Sequence, residues 1–465
     1  VLKFLFISLN PIAGDEPFTL FHAQMPVADI IRNINRGNNP PLFEILLHFW
    51  IKLGGIESFW VKALPAFFSS ATAVIIYFYC KKNFSLTVAI AAALIFSFSN
   101  YHLELAHFTR AYALLGLLSV ASMYCFNSYI KGNVSGRILI TLVIINVLLL
   151  YTHYLGVFII AVQLICLLFI PSIRNYWKKY LLVLMGIIII YLPQLFVFVN
   201  RFSATAKDGT WVKTPSGLES LYNSIVQFSN QPVVAVACIG IFISGIIYFI
   251  IHRNKKIDTD NLIVLIWFLF PFFGLFFISY FFPMFVSNYL VFFAVAYPIV
   301  IALTIENLFR KTKKVYGLVA AGIIVLCFGF TFNPRSDNER DILPALNKIT
   351  ELKTDKTVLI ISPEYFMLNY TYYENRELFK DAGAHASFER MRIELNATNV
   401  FPTDHAEQNS DSIFFTEFPK IIYLDVSADF SAPGNNILPT IEKRYSLKGK
   451  YTFRKEITVY EFERE

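Results

Sequence analysis

Cysteine is scarce in this sequence, and every one of the five residues lies within an apolar run. They are Cys80, Cys125, Cys166, Cys238 and Cys327. The polar C-terminal part therefore has none, and no two lie close enough to form a typical metal-binding pair. This distribution of cysteines excludes a disulfide framework and a zinc site built from closely spaced cysteines.

Charge is also sparse, since only 16% of the residues are charged whereas 56% are hydrophobic and 48 are phenylalanine. A soluble domain does not need so much apolar surface to fill its core, so we expect the excess to face lipid. The net charge of +7 is unevenly placed. Residues 1–333 hold 23 Lys or Arg and 11 Asp or Glu, and the remainder hold 17 and 22. Basic residues in the apolar part are typical of cytoplasmic membrane loops, so nucleic acid is not predicted as a partner.

Apolar runs long enough to cross a bilayer recur through the first 332 residues. A shorter run at the start is apolar only to about Leu9, and it brings the predicted number of transmembrane helices to about eleven. The start lacks the charged region and the cleavage site of a signal peptide, so it is not predicted to be removed. The ten longer runs are 60–80, 84–101, 110–130, 138–151, 155–171, 180–199, 233–252, 261–282, 288–309 and 315–332.

Basic residues occupy every second connection between these runs. By the positive-inside rule those connections are predicted to be cytoplasmic. The connections around 102–109, 152–154, 200–232 and 283–287 then lie outside, together with residues 11–59 and the tail. The basic residues are Lys81, Lys82, Lys131, Arg137, Arg174, Lys178, Lys179, Arg253, Lys255, Lys256, Arg310, Lys311, Lys313 and Lys314.

The run from Pro40 to Leu53 has the pattern of a helix but is too short to span. About 14 residues of helix are only about 21 Å long. Counting the run as a span would also reverse the side of Lys81 and Lys82. We therefore predict a helix at the outer interface, within a long external loop over residues 11–59.

After residue 332 the composition becomes polar and the periodicity changes. Strand-like runs at Thr357–Ser362, Lys420–Val426 and Tyr451–Glu461 alternate with helix-like stretches, which indicates a small α/β domain. The predicted fold is thus an all-α polytopic membrane domain over residues 1–332 followed by an extracytoplasmic α/β domain over residues 333–465. Asn-x-Thr sequences occur in this tail at Asn369 and Asn396.

Ionisable residues gather in the predicted external connections. Asp15 and Glu16 open the first loop, and the next external connection carries His102, Glu104, His107 and Arg110. Ionisable groups at membrane depth are costly and mark a functional site by default. Each also has a structural alternative, because an isolated arginine can snorkel at a helix end and a histidine can pair with a backbone carbonyl.

A further polar element reads Tyr151-Thr152-His153-Tyr154 and lies at another outer helix end. Taken singly, Tyr151 and Tyr154 are typical of the aromatic belt at a membrane interface. Together with Asp15 and Arg110, however, the element outlines a polar cavity on the outer face.

The order of these elements resembles the GT-C class of glycosyltransferases that use polyprenyl-phosphate sugars. The elements are Asp15-Glu16, Pro40-Pro41-Leu42, Arg110-Ala111-Tyr112 and Tyr151 to Tyr154, with a polar tail after the last span. The bacterial branch related to protein O-mannosyltransferases and lipid A aminoarabinose transferases is the most similar. The resemblance covers residues 1–332 and implies that Asp15, beside Glu16, is a general base.

The same resemblance implies that Arg110 and Tyr112 contact the donor phosphate, with Tyr151, His153 and Tyr289 as further substrate-binding residues. His102 and Glu104 are candidates for substrate binding because they are polar residues of the same external connection as Arg110. Arg201, Lys207 and Lys213 are other cations of the external loop. Two positions depart from the family pattern. Phe108 stands where an acidic residue is common two positions before the arginine, and Asn288 stands where an arginine often precedes the tyrosine.

The implied activity is the inverting transfer of a sugar from a polyprenyl phosphate to a hydroxyl group of a lipid, glycan or protein. It would take place at the outer face of a bacterial inner membrane, and the departures at Phe108 and Asn288 leave an inactive scaffold as one alternative. A lipid or sugar transporter is another, although transporters usually carry polar residues near the midplane. No His or Cys cluster predicts a metal; Asp15 and Glu16 are possible oxygen ligands for a divalent ion.

Overall fold

The structure, a computed structural model, describes residues 1–35, 39–132, 135–208, 212–251, 258–310, 314–335, 341–406 and 418–464, without the side chains of 204–208. The chain divides into two compact units. We call Val1–Leu9, Ile31–Leu46 and Phe59–Ser336 the helical unit, and Asn10–Ile30, Leu47–Ser58 and Asp337–Glu465 the mixed unit. Two parts of the first loop therefore group with the C-terminal residues. Arg253, Lys255, Lys256, Lys311 and Lys313 lie outside the described residues.

Apolar helices build the helical unit. Five helices among the described residues are long and apolar enough to cross a membrane, or up to seven if each of two bent pairs is one span. The chain is a multi-pass membrane protein, and the number of eleven spans stays a prediction. The helices are Leu2–Leu5, Ser58–Asn83, Leu86–Phe98, Asn100–Ala106, Tyr112–Ile130, Gly136–Thr152, Val157–Phe169, Trp177–Asp208, Leu218–Phe228, Pro232–Ile251, Thr259–Ile278, Val291–Ala294, Tyr297–Phe309 and Lys314–Phe330, with short 3₁₀ turns at Ile7–Leu9, Tyr154–Gly156, Pro171–Tyr176 and Ser287–Leu290.

Two predicted spans are wrong as single helices. The run 84–101 breaks at Ser99, where the chain bends by 63° and the Ser99 hydroxyl accepts the N–H of His102 in the first turn of the next helix. The run 288–309 bends by 44° before Tyr297–Phe309. Pro298 stands in the first turn of that helix, where its missing N–H is tolerated but would interrupt a continuous helix.

The predicted external loop over 200–232 is also partly wrong. The helix that contains 180–199 runs from Trp177 to Asp208, so Arg201 lies on a helix rather than in a loop. A second helix, Leu218–Phe228, follows in the same stretch. Apolar periodicity ends where side chains become polar, but the backbone hydrogen bonds of a helix continue past that point.

The predicted cytoplasmic connections meet at one end of the helical unit. Lys131 forms a salt bridge of 2.7 Å with Asp260 and donates a hydrogen bond of 2.8 Å to Asn83. These residues come from three different helix ends. Three of the connections predicted to be cytoplasmic therefore lie together in the fold, and the face of the membrane to which they belong stays a prediction.

The connections predicted to be external meet at the opposite ends of the same helices. The Asn100 backbone N–H donates to Asn230 Oδ1 at 2.7 Å, and the Asn100 side chain donates to the Thr331 carbonyl at 3.1 Å. Tyr101 donates to the Ser287 carbonyl at 2.7 Å. Residues distant in sequence thus share one polar end, which is where the candidate site lies.

A ring of polar side chains lies buried among four helices, and no sequence motif predicts it. Ser122 donates to Asn146 at 2.6 Å, Asn146 donates to Gln163 at 3.3 Å, and Gln163 donates back to Ser122 at 2.6 Å. The Tyr180 hydroxyl also donates to Gln163. Such hydrogen bonds tie helices together where lipid offers no alternative partner.

A five-stranded sheet forms the centre of the mixed unit, in the order β2-β1-β3-β5-β4. Strands β2, β1 and β3 are parallel, and β3, β5 and β4 are antiparallel. The small α/β domain is confirmed. The strands are Thr357–Ser362 (β1), Val400–Pro402 (β2), Lys420–Val426 (β3), Tyr445–Phe453 (β4) and Ile457–Arg464 (β5).

The third predicted strand, Tyr451–Glu461, is wrong as one strand. It covers the end of β4, a turn and the start of β5, which pair as a hairpin. Arg454 in that turn has a φ of +55°, a left-handed conformation that ends a strand. Apolar residues alternate on both sides of the turn, at Tyr451 and Phe453 and at Ile457 and Val459, because the paired positions of the two strands face the same side of the sheet.

Short helices accompany the sheet, and others form the first loop. The helix predicted at Pro40–Leu53 is present as Leu42–Gly54, and the division between the units passes through it. The helices of the loop and the tail are Glu16–Ala23, Val27–Ile34, Leu42–Gly54, Leu343–Leu352, Met367–Glu374, Arg376–Ala384, Phe388–Ala397, Ala428–Ser431 and Ile437–Ile441, with a 3₁₀ turn at Glu364–Phe366.

Candidate functional site

Arg110 lies in the short connection between the Asn100–Ala106 and Tyr112–Ile130 helices. Its backbone N–H donates to the Phe108 carbonyl at 2.7 Å, so the connection is a tight turn. The side chain is half-buried. Its positive charge acts on two neighbouring groups, the carboxyl of Glu44 and the imidazole of His153. Arg110 is therefore the cation of a polar cluster within the helical unit.

His153 follows the Gly136–Thr152 helix and caps the next turn. Its Nδ1 accepts a hydrogen bond of 3.2 Å from the Leu155 backbone N–H. The turn then closes tightly, because a Cβ at Gly156 would lie 2.9 Å from the Leu149 carbonyl oxygen. The imidazole is 4% exposed. The local sequence thus fixes both the position and the orientation of this ring.

The hydrogen bond at Nδ1 places the proton of neutral His153 on Nε2. Burial, and then the charge of Arg110, lower the pKa of His153 to about 4, so the ring is neutral at pH 7. Within the described part of the chain, Nε2 has no hydrogen-bond partner. A buried N–H donor without a partner is costly in a folded protein. Because the Arg110 guanidinium is nearby, the Nε2–H of His153 is well placed to donate a hydrogen bond to an anion.

Aromatic rings surround this imidazole. The centroid of His153 is 5.1 Å from that of Tyr289 and 6.3 Å from that of Tyr112, and the two tyrosines are 6.1 Å apart. Phe108, which stands at one of the departures from the family pattern, stacks on Tyr112 at 5.9 Å. Three residues predicted from separate segments of the sequence are therefore brought together.

Glu44 is a functional candidate that the sequence analysis missed. It lies in the first turn of the Leu42–Gly54 helix, is 4% exposed, and its Oε2 has no hydrogen-bond partner among the described residues. Burial raises the pKa of this carboxyl, and Arg110 opposes that rise. The signal available in the sequence was the one carboxylate within the mostly apolar run from Pro40 to Leu53.

Asp15 and Glu16 belong to the mixed unit, where they begin the Glu16–Ala23 helix. Glu16 is 1% exposed, and its Oε2 accepts a hydrogen bond of 2.9 Å from the Ala13 backbone N–H. Asp15 is half-buried. The two adjacent acids therefore differ, since Glu16 closes the turn that precedes the helix.

Comparison with solved structures shows the same architecture in three structures of two proteins, both of low sequence identity. ArnT from Cupriavidus metallidurans in the apo state has a TM-score of 0.58 at 10% identity, covering 99% of this chain and 95% of that one. The same enzyme bound to undecaprenyl phosphate gives 0.54 at 10% identity, with 99% and 96% covered. Archaeal oligosaccharyltransferase AglB from Archaeoglobus fulgidus, in complex with an inhibitory peptide and a dolichol-phosphate, gives 0.51 at 12%, with 96% and 70% covered.

The chain has the GT-C fold. The resemblance stated from the sequence motifs is thereby confirmed at the level of the fold. No protein-family model matches the sequence. No curated protein matches it either.

Other residues predicted for the GT-C site lie in different contacts. Tyr151 packs against Tyr191 at 5.3 Å and donates to the Ile190 carbonyl at 3.3 Å. His102 is buried against Phe96 at 4.3 Å, and Glu104 is exposed. These three occupy the same end of the helical unit as Arg110, but their roles in binding stay predictions.

A second polar group at this end of the helical unit contains Arg201. Its Nε donates to the Asn35 carbonyl at 3.2 Å. Gln194 Nε2 donates to Asn35 Oδ1 at 3.1 Å and to the Tyr154 hydroxyl at 3.4 Å. Lys213 is exposed, and the side chain of Lys207 lies outside the described residues.

Metal binding is not indicated by a ready ligand set. Among the residues that the structure describes, no three His, Cys, Asp or Glu side chains come together. Glu16 already accepts a backbone hydrogen bond, which reduces but does not remove its capacity as an oxygen ligand. A divalent ion at Asp15 and Glu16 stays a prediction.

Proposed function

We propose that this protein transfers a sugar from a polyprenyl-phosphate donor to a hydroxyl group of a lipid, glycan or protein acceptor, with inversion at the anomeric carbon. The reaction would take place at the outer face of the cell membrane, the inner membrane in a bacterium with two. The proposal combines the GT-C fold over 99% of the chain with a cluster suited to bind phosphate.

The observation that carries the proposal is the buried Nε2–H of His153 near Arg110. A guanidinium and an N–H donor are the groups that proteins use to bind phosphate oxygens. The solved structures with this fold include one bound to undecaprenyl phosphate and one in complex with a dolichol-phosphate. We therefore assign Arg110 and His153 to the phosphate of a lipid-linked donor, and Tyr112 and Tyr289 to the walls around it.

The proposed reaction is a single displacement. The acceptor oxygen forms a bond to the anomeric carbon, while the bond from that carbon to the phosphate oxygen breaks and polyprenyl phosphate leaves with the electron pair. Arg110 and His153 stabilise the negative charge that develops on the leaving phosphate. The acceptor hydroxyl loses its proton to the carboxylate of Asp15, which acts as general base.

Glu16 has a different part in this proposal. Since its carboxylate accepts the Ala13 N–H, we assign it to the shape of the turn rather than to proton transfer. Replacement of Asp15 by Asn should therefore reduce turnover far more than replacement of Glu16 by Gln, which keeps one acceptor oxygen.

Phosphate binding can be tested without turnover. Purified protein is titrated with undecaprenyl phosphate and, in parallel, with undecaprenol, which has the same tail and no phosphate. We expect the phosphate to raise the thermal unfolding temperature, undecaprenol to have little effect, and the difference to vanish in Arg110→Gln. Equal stabilisation by the two lipids would contradict the assigned phosphate site.

Transfer itself is tested by mass spectrometry of envelope lipids and glycans from cells with and without the protein. A single missing sugar would identify donor and acceptor, and the purified protein should then form that product with wild-type Asp15 but not with Asp15→Asn. Movement of an intact lipid-linked sugar across proteoliposomes without a covalent product would instead favour a flippase. Lipid binding without either activity would indicate an inactive scaffold.

A further inference from the structure

One helix of the mixed unit holds the first loop through the backbone carbonyls of that loop. From the Met367–Glu374 helix, the Tyr373 hydroxyl donates to the Ile12 carbonyl at 2.6 Å, and Asn369 Nδ2 donates to the Gly14 carbonyl at 3.1 Å. The intervening sequence is more than 350 residues long in both cases. These two hydrogen bonds, which we call the clamp, therefore connect the C-terminal part of the chain to the two residues that flank Ala13.

The held segment is the turn that presents Asp15. Gly14 has a φ of +57°, a left-handed conformation that residues with a side chain rarely adopt. Ala13 donates its N–H to the Glu16 carboxylate, while Ile12, Ala13 and Gly14 are all buried. The Ala13 carbonyl accepts the Glu16 N–H, the first of the helix, at 3.1 Å, but the carbonyls on either side of it need donors from elsewhere. Tyr373 and Asn369 supply those partners.

The helix that follows Asp15 is fixed as well. Phe21, on the Glu16–Ala23 helix, packs against Phe388 at 4.5 Å and against Phe379 at 5.9 Å. Asp15 is thus fixed on both sides, by hydrogen bonds before it and by aromatic packing after it. A general base needs such restraint, because a displacement of about 1 Å can reduce a rate about a hundredfold.

We propose that Tyr373 and Asn369 are positioning residues that hold the Ile12–Gly14 turn so that the Asp15 carboxylate is presented in one orientation. This inference rests on the proposed role of Asp15 as general base. It gives the C-terminal domain a defined task in the reaction. It also accounts for the Asn369 side chain, which is 1% exposed and engaged with Gly14, and therefore unavailable for glycosylation in this fold.

The same helix provides a matched control. Tyr372, the neighbour of Tyr373, donates its hydroxyl to the Ile56 carbonyl at 3.0 Å, in a segment distant from Asp15 in sequence. Tyr372→Phe and Tyr373→Phe each remove one hydroxyl and one hydrogen bond to a backbone carbonyl. Any general loosening of the domain should affect both variants alike, whereas a positioning role should affect only Tyr373→Phe.

The first readout is amide hydrogen exchange of the full-length protein in lipid, which does not depend on turnover. We expect Tyr373→Phe to accelerate exchange in the peptide around residues 12–18 about fivefold, and Tyr372→Phe to do so around residues 54–58 instead. If the peptide around residues 12–18 exchanges equally in wild type and in Tyr373→Phe, the clamp is refuted. Asn369→Ser serves as the second variant if Tyr373→Phe does not fold.

The second readout is transfer of the donor sugar. Tyr373→Phe should lower kcat about tenfold or more with little change in KM for the donor, while Tyr372→Phe retains most of kcat. Equal losses in both variants would overturn the positioning role. If wild type makes no transfer product, the proposed function fails, but the exchange experiment still decides whether the clamp exists.

Discussion

Two groups of buried polar side chains in the helical unit differ in whether all of their members are hydrogen-bonded within the group. The ring of Ser122, Asn146, Gln163 and Tyr180 closes on itself, with each member bonded to another. The cluster around His153 does not, because its Nε2 has no hydrogen-bond partner within the described ranges. Both groups include residues from the Tyr112–Ile130 helix and from or next to the Gly136–Thr152 helix.

The difference separates a structural role from a binding role. A closed ring already has its hydrogen bonds and can gain little from a ligand, so its contribution is to hold helices together. The Nε2–H of His153, near the Arg110 guanidinium, has no hydrogen bond to offset the cost of its burial, and a bound anion would provide one. Buried polarity alone therefore does not indicate a site in this fold; what distinguishes the cluster around His153 is an unpaired donor beside the charge of Arg110.

The largest effect is expected from Arg110→Gln, in the cluster around His153, which we call the open cluster because its Nε2–H has no partner among the described residues. Loss of the guanidinium removes the charge that stabilises the leaving phosphate, so turnover should fall about 10²- to 10³-fold. The measurement is the rate of sugar transfer with saturating acceptor. The unfolding temperature without lipid should remain close to that of wild type.

Arg110→Lys sharpens this result. It keeps the charge but loses the planar pair of donors, so it should recover only part of the rate. Full activity in either variant would contradict the assignment of Arg110 to the phosphate.

The next effect is expected at the closed ring, from Gln163→Leu. The substitution removes the acceptor of the Tyr180 hydroxyl and of the Asn146 side-chain N–H, both buried, which should lower the free energy of unfolding by about 2 kcal/mol. Reversible unfolding in mixed micelles measures the change. The response to undecaprenyl phosphate should be unchanged, and loss of that response would show that the two groups are not separate.

Much of the fold follows from the sequence because lipid and water impose strong patterns. Apolar runs predict the positions of most of the helices, and three of the connections that basic residues mark lie together in the fold. Ser99 and Pro298 were missed as breaks because both sit in runs whose composition remains apolar. Arg454 was missed for a related reason, since the strands on both sides of its turn share one hydrophobic pattern.

The candidate site was only partly predictable. Arg110, Tyr112, His153 and Tyr289 were proposed from motif resemblance, and the fold brings them into one cluster. Glu44 was missed because burial, not residue type, gives it a possible role, and burial depends on packing between distant segments. The clamp on Asp15 was likewise hidden, since Asn369 and Tyr373 carry no motif of their own beyond an Asn-x-Thr sequence.

A moderate effect concerns pH and tests whether His153 is buried as a neutral ring. Its pKa is about 4 in the folded protein and about 6.5 when unfolded, so the unfolded chain binds more protons between these values. Stability is therefore full above about pH 6.5 and falls as the pH drops towards 4, by about 2 kcal/mol at pH 5.

The measurement for this histidine compares unfolding temperatures at pH 7 and pH 5 for wild type and His153→Gln. The variant should lose less stability than wild type on acidification. It should retain some pH dependence, because burial also lowers the pKa of His107 to about 4. Equal slopes for the two proteins would show that His153 is not buried as described.

The smallest effect is expected from Glu44→Gln, which removes the negative charge near Arg110 and keeps a side chain of nearly the same size. A carboxylate there competes with phosphate for the guanidinium, and burial already raises its pKa while Arg110 opposes that rise. Removing the competition should tighten binding of undecaprenyl phosphate about two- to fivefold, as a change of less than about 1 kcal/mol would do. The midpoint of a lipid titration at pH 7 measures it. Weaker binding would mean instead that Glu44 orients Arg110 for the phosphate, and the open cluster would then contain a built-in partner as the closed ring does.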